Sequence, residues 1–193
     1  MKTDIIIAGV GGQGILSIAA CIGIAAVNSR LYLKQSEVHG MSQRGGAVQS
    51  NLRLSDSDIA SDLIPLGRAD LIISVEPMEA LRYLPWLATN GWLVTNTTPV
   101  ENIKNYPDLN DLINEVKSYK NHIIIDADEI AREIKYPKSS NMIMLGAASP
   151  FIDISFDQFE SGIAGIFGRK GAEVVDINLR AFRAGRDFSE KNK

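Results

Sequence analysis

The chain has 193 residues, a formal net charge of −3 and a single cysteine, a length that suits one domain with a sizeable core. Charges of both signs are dispersed, with no run of five like charges, which excludes the clustered basic face that a nucleic-acid partner requires. One thiol, Cys21, excludes an internal disulfide and a four-thiolate iron-sulfur cluster held by this chain alone.

Short apolar runs alternate with longer helical patterns, the signature of an α/β sheet with parallel strands. Residues 5–8 (IIIA) predict a buried strand, and residues 15–28 a helix that is apolar nearly all round. The scarcity of charge over 5–27 imitates a membrane segment, but Gly9, Gly11, Gly12 and Gly14 divide it into pieces too short to cross a bilayer. The expectation is a cytoplasmic protein with no membrane partner. Residues 31–35 predict the second strand, 47–54 a strand with one polar face, and 71–75 another buried strand.

Pro77 opens a helix expected to carry Met78, Leu81, Leu84 and Leu87. Trp86 and Trp92 flank an expected turn at Asn90-Gly91 before a strand over 92–95. Residues 99–120 read as a loop and a surface helix, then 123–125 as the last strand. Helical patterns follow over 142–148, 156–167 and 172–188. The chain is thus expected to be one domain over 1–193, with 99–138 readable as a small insertion and 141–193 as a helical C-terminal portion. The sheet is expected to be doubly wound, Rossmann-like or flavodoxin-like, and mostly parallel.

Gly9-Val10-Gly11-Gly12-Gln13-Gly14 matches GxGxxG and lies after the first strand and before the first helix. Glycines permit tight turns there, and the free amides of the first helical turn attract an anion. Three readings are open: phosphate or nucleotide binding, close helix-sheet packing, and approach of a partner chain. A dinucleotide needs an acid at the end of the second strand, and Glu37 falls slightly late for that role.

The stretch EVHGMSQRGGAVQS gathers Glu37, His39, Ser42, Gln43 and Arg44 before Gly45 and Gly46. Acid-base chemistry suits His39 beside a carboxylate, yet no nucleophile or metal cluster completes it. A solvated loop bent at the glycines is the plainer alternative. Cys21 reads as a core thiol. Asp126, Asp128 and Glu129 read as acids that complement a helix N-terminus rather than as a metal site.

Together, the GxGGQG loop and the later Ser36-Glu37-Val38-His39-Gly40-Met41-Ser42-Gln43-Arg44-Gly45-Gly46 run, with Val48 and Ser50, resemble the gamma subunit or domain of the 2-oxoacid:ferredoxin oxidoreductases. Within that family the similarity is greatest to the indolepyruvate ferredoxin oxidoreductase beta subunits. Ala69-Asp70-Leu71 and Glu76-Pro77 also fit. The resemblance implies a subunit inactive alone, whose larger alpha partner carries thiamine diphosphate, magnesium and iron-sulfur clusters. That complex passes electrons to ferredoxin and uses coenzyme A as co-substrate, while the isolated chain is expected to form a homodimer. No catalytic or metal-binding residue is assigned to this chain, and no cofactor is expected on it. Gly9, Gly11, Gly12, Gln13 and Gly14 would form a ligand or phosphate loop. Glu37, His39, Ser42, Gln43, Arg44 and Gly45 would dock the partner or close its site. An independent nucleotide-binding module using the glycine loop is the alternative.

Overall fold

The computed structural model describes residues 1–40 and 45–193; Met41, Ser42, Gln43 and Arg44 lie outside the described residues. Strand β1 (Lys2–Val10) leads through the glycine loop into helix α1 (Ile15–Asn28), then to β2 (Tyr32–His39), β3 (Ala47–Ser55) and β4 (Ala69–Ser74). Helix α2 (Pro77–Arg82), β5 (Leu87–Asn96), α3 (Leu109–Lys117), β6 (His122–Ile125) and α4 (Ala127–Glu133) follow, and α5 (Ser140–Ala148), α6 (Phe156–Phe167) and α7 (Ala172–Asn192) complete the chain.

The six strands form one sheet in the order β2-β3-β1-β4-β5-β6. β1, β4, β5 and β6 are mutually parallel, whereas β3 runs antiparallel to both β1 and β2. The sheet is therefore mixed, and its departure from the parallel pattern is confined to the β2-β3 hairpin. Helices cover both faces, as continuous apolar strands require. Successive side chains of β1 alternate between them: Ile5 and Ile7 join the larger core under α1, α5, α6 and α7, while Ile6 and Ala8 join a smaller one with Ala80, Tyr83 and Val116.

Several local expectations shift. Helix α2 stops at Arg82, and a short 3-10 turn, Leu84–Trp86, follows it. Pro85 lies within that turn, where it has no amide to donate to a continuing helix, so Leu87 begins β5. Asn90-Gly91 is not a turn but the middle of β5. Gly91 sits beside a register shift between Ala69 and Leu71, where a Cβ would lie 2.8 Å from Ala69 O. Trp92 stacks on Phe151 with ring centroids 4.0 Å apart. The 99–138 segment contributes α3, β6 and α4, and β6 is the edge strand beside β5.

Helix α5 is buried over 142–148, wedged between the sheet and α7. Glycines make that position attainable. A Cβ on Gly146 would lie 1.9 Å from Phe182 O, and one on Gly185 1.9 Å from Ile143 O. The two backbones therefore touch where side chains would otherwise separate them. α6 meets α1 in the same way through Gly162, whose Cβ would come within 2.6 Å of Cys21 O. Gly146→Ala should cost about 2–3 kcal/mol of unfolding free energy, because the contacted atoms are rigid backbone; urea denaturation measures it. Cys21 is fully buried, and burial pushes its thiol up to about 12. Ellman's reagent should therefore titrate no thiol in the native chain and one on unfolding.

Candidate functional site

The C-terminal ends of the parallel strands converge on one rim of the sheet, where open α/β sheets bind ligands. β1 ends in the glycine loop. Gly12 and Gly14 take left-handed backbone angles (φ 103° and 80°), and Gly14 caps α1 without a side-chain bond. Ser17 and Ile18 both donate to Gly14 O. The amides of Ile15 and Leu16 find no partner among the described residues, so an anion could accept from them.

Gln13 points into the protein. Its Oε1 accepts from the Val10 amide (2.7 Å), and its Nε2 donates to Val75 O (3.1 Å). The side chain thereby ties the end of β1 to the end of β4. Gly9 leaves it room, since a Cβ there would meet Gln13 Oε1 at 2.8 Å and Val75 Cγ2 at 2.3 Å. Gly9 and Gln13 are thus closely packed against the ends of β1 and β4, whereas Gly12, Gln13 and Gly14 also line an open cleft of about 420 Å³.

The opposite wall of that cleft was not foreseen. It comprises Asn96 at the end of β5, Asp128 in the first turn of α4, Lys138, and Ser140 and Asn141 at the start of α5. Asn96 donates to Asp128 Oδ2 (2.9 Å) and accepts from the amides of Thr97 and Ala127 (3.0 Å each). Ser140 Oγ donates to Asp128 Oδ1 (2.6 Å). Asn141 lies against Gly14, with Nδ2 3.4 Å from its carbonyl oxygen, and a Cβ on Gly14 would collide with it. Burial acts to raise the Asp128 pKa, but hydrogen bonds from Ser140, Asn96 and Thr98 outweigh it and hold the carboxyl below its ordinary value. Asp126 instead caps α4 by accepting from the Glu129 amide (2.7 Å). An Asn ending a parallel strand and a Ser-Asn pair opening an apolar helix were the available sequence signals.

The hairpin shares this rim. In the ladder, Gly9 stands opposite Val48, and Val48 opposite His39, which puts His39 about 10 Å from Gly9 by strand spacing. Gly11 donates to Gly46 O (2.9 Å), so the entry to β3 lies directly beside the glycine loop. Asn102 Nδ2 donates to Gly45 O (2.6 Å) from the loop after β5. Glu37 and His39 belong to β2 rather than to a loop, and His39 Nε2 lies 2.9 Å from Glu37 Oε1. The expected positions Ser42, Gln43 and Arg44 fall outside the described residues. Glu37 is not placed as a dinucleotide's ribose acid would be: β3 takes the place next to β1, and Glu37 stands one strand further out.

Glu76 is a further buried carboxylate of this rim. It caps α2 through the Glu79 amide (2.8 Å), accepts from the Val100 amide (3.3 Å), and accepts from the Tyr106 hydroxyl. Burial and that hydrogen bond push the Tyr106 hydroxyl well above its ordinary pKa. The group therefore anchors the loop that reaches Gly45. Among the described residues no cluster of three or more His, Cys, Asp or Glu could hold a metal ion, and no helix is long and apolar enough to cross a membrane.

Residues 4–188 match the family model described as pyruvate ferredoxin/flavodoxin oxidoreductase. The chain belongs to that family. It is 35% identical over 192 residues to indolepyruvate oxidoreductase subunit IorB of Methanothermobacter thermautotrophicus, covering 96% of each chain. Its fold superposes on the keto/oxoacid ferredoxin oxidoreductase gamma subunit of Geobacter sulfurreducens PCA, with a TM-score of 0.72, 21% identity and coverage of 98% and 99% of the two chains. A 2-oxoglutarate:ferredoxin oxidoreductase from Magnetococcus marinus, solved with 2-oxoglutarate, coenzyme A and succinyl-CoA bound, gives a TM-score of 0.78 at 23% identity. That match covers 98% of this chain but 31% of the longer one. The α/β architecture is thus that of oxoacid oxidoreductase gamma subunits.

The lowered Asp128 pKa fixes the sign of its pH effect. Its contribution to stability is present above the unfolded carboxylate value of about 3.9 and is lost as pH falls through the lower folded value. Asp128→Asn should reduce stability by about 1–2 kcal/mol at neutral pH and flatten its decline toward pH ~3. Urea midpoints across that range check both effects.

Proposed function

We propose that this chain is the small subunit of an indolepyruvate-type 2-oxoacid:ferredoxin oxidoreductase and is inactive without a larger partner. The supporting observation is its 35% identity, along nearly the full length of both chains, to a subunit named for indolepyruvate. Cofactor chemistry fits a partner better than this chain. Its one thiol is buried in α1 and held protonated, so it cannot supply the thiolates of an iron-sulfur cluster. In the complete enzyme, thiamine diphosphate on the partner would supply the decarboxylation chemistry, and its clusters would pass electrons to ferredoxin.

The contribution of this chain is to bind and enclose. The glycine loop, the returning β2-β3 turn and the loop after β5 form one hydrogen-bonded rim, joined at Gly11, Gly45, Gly46 and Asn102. In this reading the rim closes over the partner's site, with Glu37, His39, Ser42, Gln43 and Arg44 at the contact. Arg44 meets a carboxylate or phosphate through its planar fork. The cleft beside the loop receives an anionic part of coenzyme A, between the Ile15 and Leu16 amides and Lys138.

Anaerobic co-expression with the partner, followed by viologen reduction, tests the proposal. Turnover should require both chains and should favour indolepyruvate over pyruvate, 2-oxoglutarate and branched 2-oxoacids. Arg44→Ala should weaken assembly or raise the KM for coenzyme A about tenfold, while the isolated chain stays folded by circular dichroism. An isolated chain that binds a nucleotide tightly and captures no partner would instead support an independent nucleotide-binding module.

A further inference from the structure

We propose that the outer edge of β2 pairs antiparallel with β2 of a second copy of this chain, about a two-fold axis through Gln35, to give one continuous twelve-stranded sheet. β2 is the terminal strand of the sheet, eight residues long, and pairs with β3 without a break in register. A long regular edge is a template for a further strand unless charge, a bulge or a covering element blunts it. Here the strand lacks a bulge, its Lys34 is drawn onto Ala60 O, and its two most exposed apolar side chains, Tyr32 (53% exposed) and Val38 (57%), lie by alternation on the face opposite Leu33, which packs against Gly23 of α1.

The geometry of β2 selects the partner and the register. Gly40 donates to Ala47 O, and with the unbroken register this makes the even-numbered residues of β2 the ones hydrogen-bonded to β3. By alternation, the amides and carbonyls of Leu33, Gln35, Glu37 and His39 face outward, ready to form a ladder. A second β2 centred on Gln35 joins these outward groups in hydrogen-bonded pairs, Gln35 with Gln35 and Leu33 with Glu37. Tyr32 and Val38 lie three residues to either side of that centre, so each Tyr32 packs against Val38 of the other copy, twice over. Centring on Ser36 would instead set Val38 against Lys34 and leave Tyr32 opposite Gly40.

A further observation agrees with this register. Lys34 Nζ and Ser36 Oγ hold the carbonyls of Ala60 and Asp62, which brings exposed Leu63 over the same face and widens the apolar strip. An interface that pairs residue i with j and j with i has the form that a two-fold dimer requires.

The test uses the full chain. Sedimentation velocity should show a monomer-dimer equilibrium, and Tyr32→Lys or Val38→Lys should each weaken dimerisation at least about tenfold without changing the circular dichroism spectrum. Glu115→Lys, on the exposed side of α3 at the other end of the sheet, should not. Under mild oxidation Gln35→Cys should form an intermolecular disulfide, because its two Cα atoms lie about 5.5 Å apart. Ser36→Cys should not, since its copies sit diagonally at about 7–8 Å. A chain that stays monomeric at tens of micromolar, a dimer indifferent to Tyr32→Lys and Val38→Lys, or cross-linking through Ser36 in place of Gln35 would overturn the proposal.

Discussion

Backbone contact between α5 and α7 is the constraint on which the candidate site depends. Gly146 lies against Phe182 O and Gly185 against Ile143 O, so neither helix has a side chain at the crossing to hold the other away. α5 can then sit against the sheet, buried over 142–148, and its first turn reaches the rim. Ser140 and Asn141 meet Asp128 and Gly14 there because the helix behind them has no other place to lie. A larger residue at the crossing would move the far wall of the cleft before it touched the glycine loop.

The rim itself is assembled from short polar ties rather than apolar packing. Gln13 joins β1 to β4, Asn96 joins β5 to α4, Glu76 joins α2 to the loop after β5, and Gly46 joins the hairpin turn to the glycine loop. Each tie satisfies a backbone group that the strand ends would otherwise leave unpaired near a cleft, where an unmet donor or acceptor costs about 1–3 kcal/mol. Such a network holds the rim to one shape without filling the cleft.

Ion pairs away from the rim are structural. Asp4, buried within β1, receives both Nε and Nη2 of Arg53, whose Nη1 also reaches the carbonyls of Ser61 and Leu63. That group pins the 56–66 connection across the β3 face. In the C-terminal helix, Arg180 pairs with Asp176, Arg183 with Glu160 and Arg186 with Glu190. These arginines serve contacts within the chain.

The α/β class, the glycine loop and most strands were legible in the amino-acid order, because buried strands and apolar helices impose their own periods and a loop between them needs glycine where φ is positive. Residues 5–8, Gly12 and Gly14 carry that information locally. The direction of β3, the extension of β2 through Glu37 and His39, and the register shift at Gly91 were decided by pairing between distant strands. The motif also marked one side of the cleft only. Asn96, Asp128, Lys138, Ser140 and Asn141 are spread over more than forty residues, with no spacing that links them in sequence. Tertiary structure alone brings them together, because parallel strands deliver their C-terminal ends to one rim and the glycine crossing seats α5 beside them.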